Sequence, residues 1–115
     1  HDNYKQYLLN SYDDSTTILT RKIGGVIRVL KTDYVGTIQK IDRETSTVEE
    51  ILPYIKGMVN KKAALDGDFE HGWASAGQGA SLITSIVSAE KVVETIVEEA
   101  NELINDLKKL ELSFS

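Results

Sequence analysis

The stretch Gly72-Trp73-Ala74-Ser75-Ala76-Gly77-Gln78-Gly79-Ala80-Ser81 sets nine small or polar residues around the only tryptophan of the chain. Small side chains in a row let a backbone come close to another surface. If residues 77–83 open a short helix, its free N–H groups and positive dipole end suit an anionic or polar ligand edge. The alternative is a tight loop packed beneath another element, with small residues present for steric reasons alone. The run is neither a GxGxxG dinucleotide fingerprint nor a P-loop.

Other chemistry-bearing residues are sparse. Asp66, Asp68 and Glu70 resemble the opening of a calcium loop, but the glycine at the sixth position and the closing glutamate are missing, so the segment reads as a solvated acidic turn. His71 is the only internal histidine, and with no cysteine in the chain it has no partners for a conventional zinc site. No nucleophile elbow and no spaced Ser, His and Asp set is present. We therefore expect no catalytic residue and no metal site in this chain.

The elements that must carry these residues follow from periodicity. Tyr4, Leu8, Leu9 and Tyr12 predict a short amphipathic helix over 3–13, stopped by Asp13-Asp14-Ser15. Residues 16–20 are rich in β-branched side chains and predict a strand, ended by Gly24-Gly25, and 26–30 predict a second. Tyr34, Val35, Ile38 and Ile41 place a helix over 31–42. Ser46 or Thr47 is a candidate N-cap for a further helix, with Glu49 and Glu50 in its first turn, Pro53 early and a break expected near Gly57. Asp66-Gly67-Asp68 closes that segment as a turn. The clearest pattern is Val92, Val93, Ile96, Val97, Ala100, Leu103, Ile104, Leu107 and Leu110, one apolar face of a helix over 88–110 with Ser88 as N-cap. Such a helix would span roughly 34 Å and needs an apolar partner surface.

The chain has 115 residues, 13 Lys and Arg against 18 Asp and Glu, a net charge of −5 and 41% hydrophobic residues. Residues 1–87 hold 10 basic and 11 acidic side chains and 88–115 hold 3 and 7, so the acidity sits in the C-terminal helix. Without a basic stripe beyond Lys61-Lys62, nucleic-acid binding is not expected. No apolar run approaches the roughly 20 residues of a membrane span, and no signal peptide is evident. A chain starting at His1 reads as a processed protein or part of a longer one.

The order of features resembles the C-terminal part of the nitronate monooxygenase (2-nitropropane dioxygenase) family, which is related to FMN-dependent enoyl-ACP reductases. His1-Asp2-Asn3-Tyr4-Lys5 is similar to the His-x-x-Tyr-Lys after the last barrel strand of that family. Thr16-Thr17-Ile18-Leu19-Thr20-Arg21, with Gly25 and Arg28-Val29-Leu30, resembles its Asp-Thr-hydrophobic-hydrophobic-Thr stretch and Gly-x-x-Arg-hydrophobic-Leu segment. Gly67-Asp68-Phe69-Glu70-x-Gly72 resembles its Gly-Asp-x-x-x-Gly, and Ala76-Gly77-Gln78-Gly79-Ala80-x-Leu82-Ile83 its Gly-Gln-small-Ala-Gly-Leu-Ile. Ser81 stands where the family commonly has Gly, and Ser15 where Asp is usual.

The resemblance implies an α/β fold, the C-terminal portion of an FMN-binding TIM (β/α)8 barrel enzyme, with this segment mainly α-helical with short strands. Residues 1–14 would be the last barrel helix, 15–87 a region covering the flavin site, and 88–115 the long C-terminal helix. The implied cofactor is FMN, with Ser75, Ala76, Gly77, Gln78 and Gly79 as the cofactor-binding loop. The implied partners are a small-molecule substrate, either a nitronate or an enoyl thioester, and the N-terminal barrel portion that holds the catalytic histidine and the phosphate loops. The implied activity of the cytoplasmic parent enzyme is oxidation of alkyl nitronates with O2. Enoyl-ACP reductase or NAD(P)H:quinone reductase activity is the alternative. A reading of another class is a non-catalytic helical interaction module docking through Val93, Ile96, Val97 and Ile104.

Overall fold

A computed structural model describes residues 1–21, 24–44 and 47–111. The chain divides into two compact units, His1–Ser85 and Ile86–Ser115. In the first, α1 (Asp2–Leu9) leads into β1 (Thr16–Leu19) and β2 (Ile27–Leu30), followed by α2 (Asp33–Glu44), α3 (Val48–Ile55), α4 (Gly57–Ala64) and a 3-10 turn at Gln78–Leu82. The second is built on α5 (Ala89–Glu111). None of the described helices is long and apolar enough to cross a membrane.

β1 and β2 form an antiparallel ribbon with Thr16 opposite Leu30 and Leu19 opposite Ile27. The expected first strand stops one residue early, because Thr20 takes a φ of 63°. Its Oγ1 lies 2.7 Å from the Leu19 carbonyl and also bonds the Gly25 carbonyl, so the turn closes on a buried hydroxyl. Gly24, at φ 84°, supplies the second left-handed residue, as expected of a glycine there.

The two faces of β2 serve two cores. Val29 packs with Leu19, Val35, Ile38, Ile51, Val59 and Trp73, while its neighbour Leu30 packs with Ala63, Phe69 and Ala74 on the other face. This is the period-two alternation of a strand buried on both sides. Val29, Ile38 and Ile51 are fully buried, each contributing about 1.5–3 kcal/mol by the transfer scale. Trp73 is buried with its indole N–H lacking a partner among the described residues, so its contribution comes from apolar area.

The helices follow the expected pattern with instructive differences. α1 ends at Leu9, short of residue 13, with Asn10 as C-cap. α2 begins at Asp33 after Thr32, whose Oγ1 accepts the Val35 N–H at 3.2 Å. Thr47 occupies the N-cap of α3 in extended conformation but its hydroxyl makes no capping bond; the alternative cap, Ser46, lies outside the described residues. Pro53 sits past the first turn of α3, so one intrahelical bond is lost, and the helix stops two residues later. The break falls at Lys56, in extended conformation at ψ 155°, one residue before Gly57.

In the second unit the Ser88 hydroxyl accepts the Lys91 N–H at 3.2 Å, the expected cap. Lys108 and Lys109 lie in the last turn of α5, where cations suit the dipole. Its apolar stripe is exposed, with Val93 at 61%, Ile96 at 60% and Leu103 at 65% of full accessibility.

Candidate functional site

The small-residue stretch falls into two parts with different physics. Residues 72–74 are buried. A Cβ on Gly72 would stand 2.6 Å from the Val59 carbonyl oxygen and 2.8 Å from the Ala63 nitrogen, so glycine is required there by α4. Asn60 of α4 donates its side-chain amide to the Trp73 carbonyl at 3.1 Å. For this part the steric explanation holds.

At Ser75 the chain emerges along the free edge of β2. Val29 and Ser75 form an antiparallel bridge, flanked by Leu30 N–H to the Ala74 carbonyl at 3.0 Å and Ala76 N–H to the Arg28 carbonyl at 3.2 Å. The hydroxyl of Tyr4 on α1 donates to the Ser75 carbonyl. Gly77, Gln78 and Gly79 are then exposed, and Ala80 returns to the interior. Ser81 Oγ donates to Asp13 Oδ1 at 3.0 Å and fastens the far end.

The middle of this clamped loop is open. A Cβ on Gly77 would meet nothing closer than 4.0 Å, and the same holds for Gly79. Packing within the chain therefore does not require either glycine. The N–H groups of Gly77, Gln78 and Gly79 donate to no acceptor among the described residues. The expected short helix is a single 3-10 turn of five residues, too short for a developed dipole, so free backbone donors rather than a helix end are what the loop offers. These features fit a flat polar group brought close to the backbone at Ser75, Ala76, Gly77, Gln78 and Gly79. A groove of about 400 Å³ beside α1, lined in part by Tyr7, Tyr12 and Leu30, does not include the loop.

The acidic turn is locally satisfied. Gly67 takes φ 72°, and Asp68 Oδ1 accepts the N–H groups of Glu70 and His71, both at 3.1 Å. The His71 ring nitrogen Nδ1 lies 2.9 Å from Asp68 Oδ2. Desolvation pushes the Asp68 carboxyl up, but the hydrogen bonds and charge of His71, with the Glu70 amide, outweigh it and hold it below the usual carboxylate value. Among the described residues no group of three or more His, Cys, Asp or Glu gathers as a metal site.

Sequence reading missed the joints between segments. His1 lies against Gly67, Asn3 Nδ2 donates to the Gly67 carbonyl at 3.1 Å, and Tyr4 reaches Ser75. The four motifs thus meet: the first touches the third and bonds Ser75 just ahead of the fourth, and the second supplies the strand on which the fourth is laid.

A mainly helical segment built on a two-strand ribbon, presenting a clamped glycine loop at its edge, defines the class of structure. The chain belongs to the nitronate monooxygenase family, whose model matches residues 1–99. Among solved structures it is similar to that of FabK from Thermotoga maritima, with a TM-score of 0.82 and 28% identity over 94% of this chain and 34% of that one. It is also similar to a single-residue variant of the same Thermotoga maritima protein, with a TM-score of 0.71, 27% identity, and coverage of 94% and 31%. The chain thus spans about a third of the length of the solved structures it matches, and its fold is that of the C-terminal portion of a TIM-barrel protein. No curated protein matches the sequence significantly.

Proposed function

We propose that this chain is the C-terminal segment of a cytoplasmic FMN-dependent oxidoreductase, and that the full-length enzyme oxidises alkyl nitronates with O2. The observation that carries the reading is the match of the nitronate monooxygenase family model over residues 1–99. In this reading residues 1–14 are the last barrel helix, 15–87 cover the flavin, and 88–115 pack their apolar stripe on the N-terminal barrel portion. The exposure of Val93, Ile96 and Leu103 supports a missing partner surface of that kind.

FMN, when bound, supplies the electron-transfer chemistry. The role of this chain is binding and orientation. Ser75, Ala76, Gly77, Gln78 and Gly79 would hold it, the absence of side chains at Gly77 and Gly79 allowing close approach and the free N–H groups offering fixed donors. No catalytic side chain is assigned to this chain.

A second reading is an FMN-dependent enoyl-ACP reductase or NAD(P)H:quinone reductase, favoured by the structural similarity to FabK. The test is a flavin absorbance spectrum of the full-length protein followed by oxygen uptake with propionate 3-nitronate or ethylnitronate. Oxygen consumption supports the first reading. Flavin reduction by NAD(P)H with turnover of crotonyl thioesters or quinones supports the second. A protein that binds no FMN and shows neither activity refutes both.

A further inference from the structure

We infer that Tyr4 is a positioning residue for the Ser75–Gly79 loop, its hydroxyl fixing the carbonyl of Ser75 and so the direction in which the following backbone N–H groups face a ligand. The inference rests on the reading of that loop as the flavin-binding edge.

Hydrogen bonding at the edge of β2 shows how such a residue can act. In the bridge between Val29 and Ser75 the ladder bonds run through the flanking residues, Ala74 C=O and Ala76 N–H. The carbonyl of Ser75 therefore points away from β2, as in any non-hydrogen-bonded antiparallel pair, and is open to a donor from outside the ribbon. Tyr4 supplies it from 71 residues away in sequence. Beyond Ala76, no ladder bond holds the chain until Ala80 N–H donates to the Gly77 carbonyl at 3.2 Å.

The donor is itself well anchored. The His1 nitrogen donates to the Ala64 carbonyl at 2.9 Å, and Asn3 donates to the Gly67 carbonyl, so α1 is fastened to the end of α4 and the turn after it. The Tyr4 ring packs 6.2 Å, centroid to centroid, from Phe69 and joins the Leu30 core. Burial raises the pKa of its phenol further above neutrality, in keeping with a hydroxyl that acts only as a protonated donor. The position of the donor is thus set by groups outside the loop.

The experiment uses the full-length protein and the variant Tyr4→Phe, which keeps the ring and removes the donor, with Tyr7→Phe as control. Tyr7 stacks on Phe69 at 4.2 Å. FMN affinity is read by titration of the apoprotein, and loop order by hydrogen exchange, without FMN, of the Ala76 and Ala80 amides, which donate to the Arg28 and Gly77 carbonyls at the two ends of the loop. Tyr4→Phe is expected to weaken FMN binding and speed exchange of those amides by about tenfold each, the worth of one hydrogen bond. Exchange in α2 and β1 and all readouts in Tyr7→Phe stay at wild-type values. Replacing Tyr4 by 4-aminophenylalanine, which restores a donor on the same ring, recovers most of both effects. Unchanged FMN affinity and loop exchange in Tyr4→Phe overturn the inference, as does a uniform rise in exchange across the chain or a failure of the aminophenyl side chain to rescue. A wild-type protein that binds no FMN refutes the flavin reading instead, and the exchange comparison still decides whether Tyr4 orders the loop.

Discussion

Gly72 lies directly beneath the backbone of α4, so that a Cβ at this position would come within 2.6 Å of the Val59 carbonyl oxygen. The contact is to backbone inside a helix and cannot be relieved by a side-chain rotation. Gly72→Ala must push 72–74 away from α4, disturbing Trp73 and the Asn60 bond to its carbonyl. We expect a loss of about 1–3 kcal/mol, the range for overpacking, read as a lower urea midpoint with unchanged m-value.

Thr20 combines a φ of 63° with 1% exposure, a rare place for a β-branched residue. What holds it is the hydroxyl, which bonds the carbonyl of Gly25 across the turn. Thr20→Val keeps the shape and removes the hydroxyl that joins the Leu19 and Gly25 carbonyls, at an expected cost of about 0.5–1.5 kcal/mol, the net worth of such a bond. Thr20→Asn, which tolerates left-handed backbone and carries an amide donor, is expected to lose less. Thermal melts of the two variants side by side check the order.

Asp68 gives the acid limb of the stability profile a specific source. Desolvation pushes its carboxyl up, but the His71 ring and the amides of His71 and Glu70 together outweigh it and hold its folded pKa below the unfolded value. A depressed carboxylate contributes stability that is present above the unfolded pKa and is lost as pH falls through the folded one. The melting temperature of Asp68→Asn should therefore lie below wild type at pH 6, and the gap should close below about pH 4. A gap that stays constant from pH 6 to pH 3 would refute this account.

Much of the fold was legible because periodicity reports burial. The stripe from Val92 to Leu110 gave α5, and the β-branched runs around Gly24 gave the ribbon. Element ends were less legible, since they depend on contacts made elsewhere. Thr20 ends β1 by a hydroxyl reaching Gly25, and α1 stops at Leu9 although Tyr12 continues the spacing. The site was legible as a composition, not as a geometry. Nothing in residues 72–81 separates Gly72, required by α4, from Gly77 and Gly79, which face open space. The bond from Tyr4 to Ser75 joins segments whose local patterns are independent of each other, so no window along the sequence contains both.

Gly72 and the two loop glycines should respond differently to an added methyl group. Gly77 has an extended backbone at φ −75° and ψ 169° that any residue can adopt, and its added Cβ would find only one atom, at 4.0 Å. Gly79 is equally open, facing the tip of Leu82 at 4.0 Å. Gly77→Ala and Gly79→Ala should each leave the melting temperature of the apoprotein within about 0.5 kcal/mol of wild type in free-energy terms, as surface changes do. If the loop meets a flavin, the same methyl groups intrude on the approaching ring. Each variant is then expected to lose bound FMN on purification and to bind added FMN at least about tenfold more weakly, the equivalent of 1.4 kcal/mol. Gly72→Ala, by contrast, should lower the melting temperature with or without FMN. Equal FMN affinity in wild type, Gly77→Ala and Gly79→Ala would mean that the open face of the loop meets solvent, and would move the cofactor contacts to other residues.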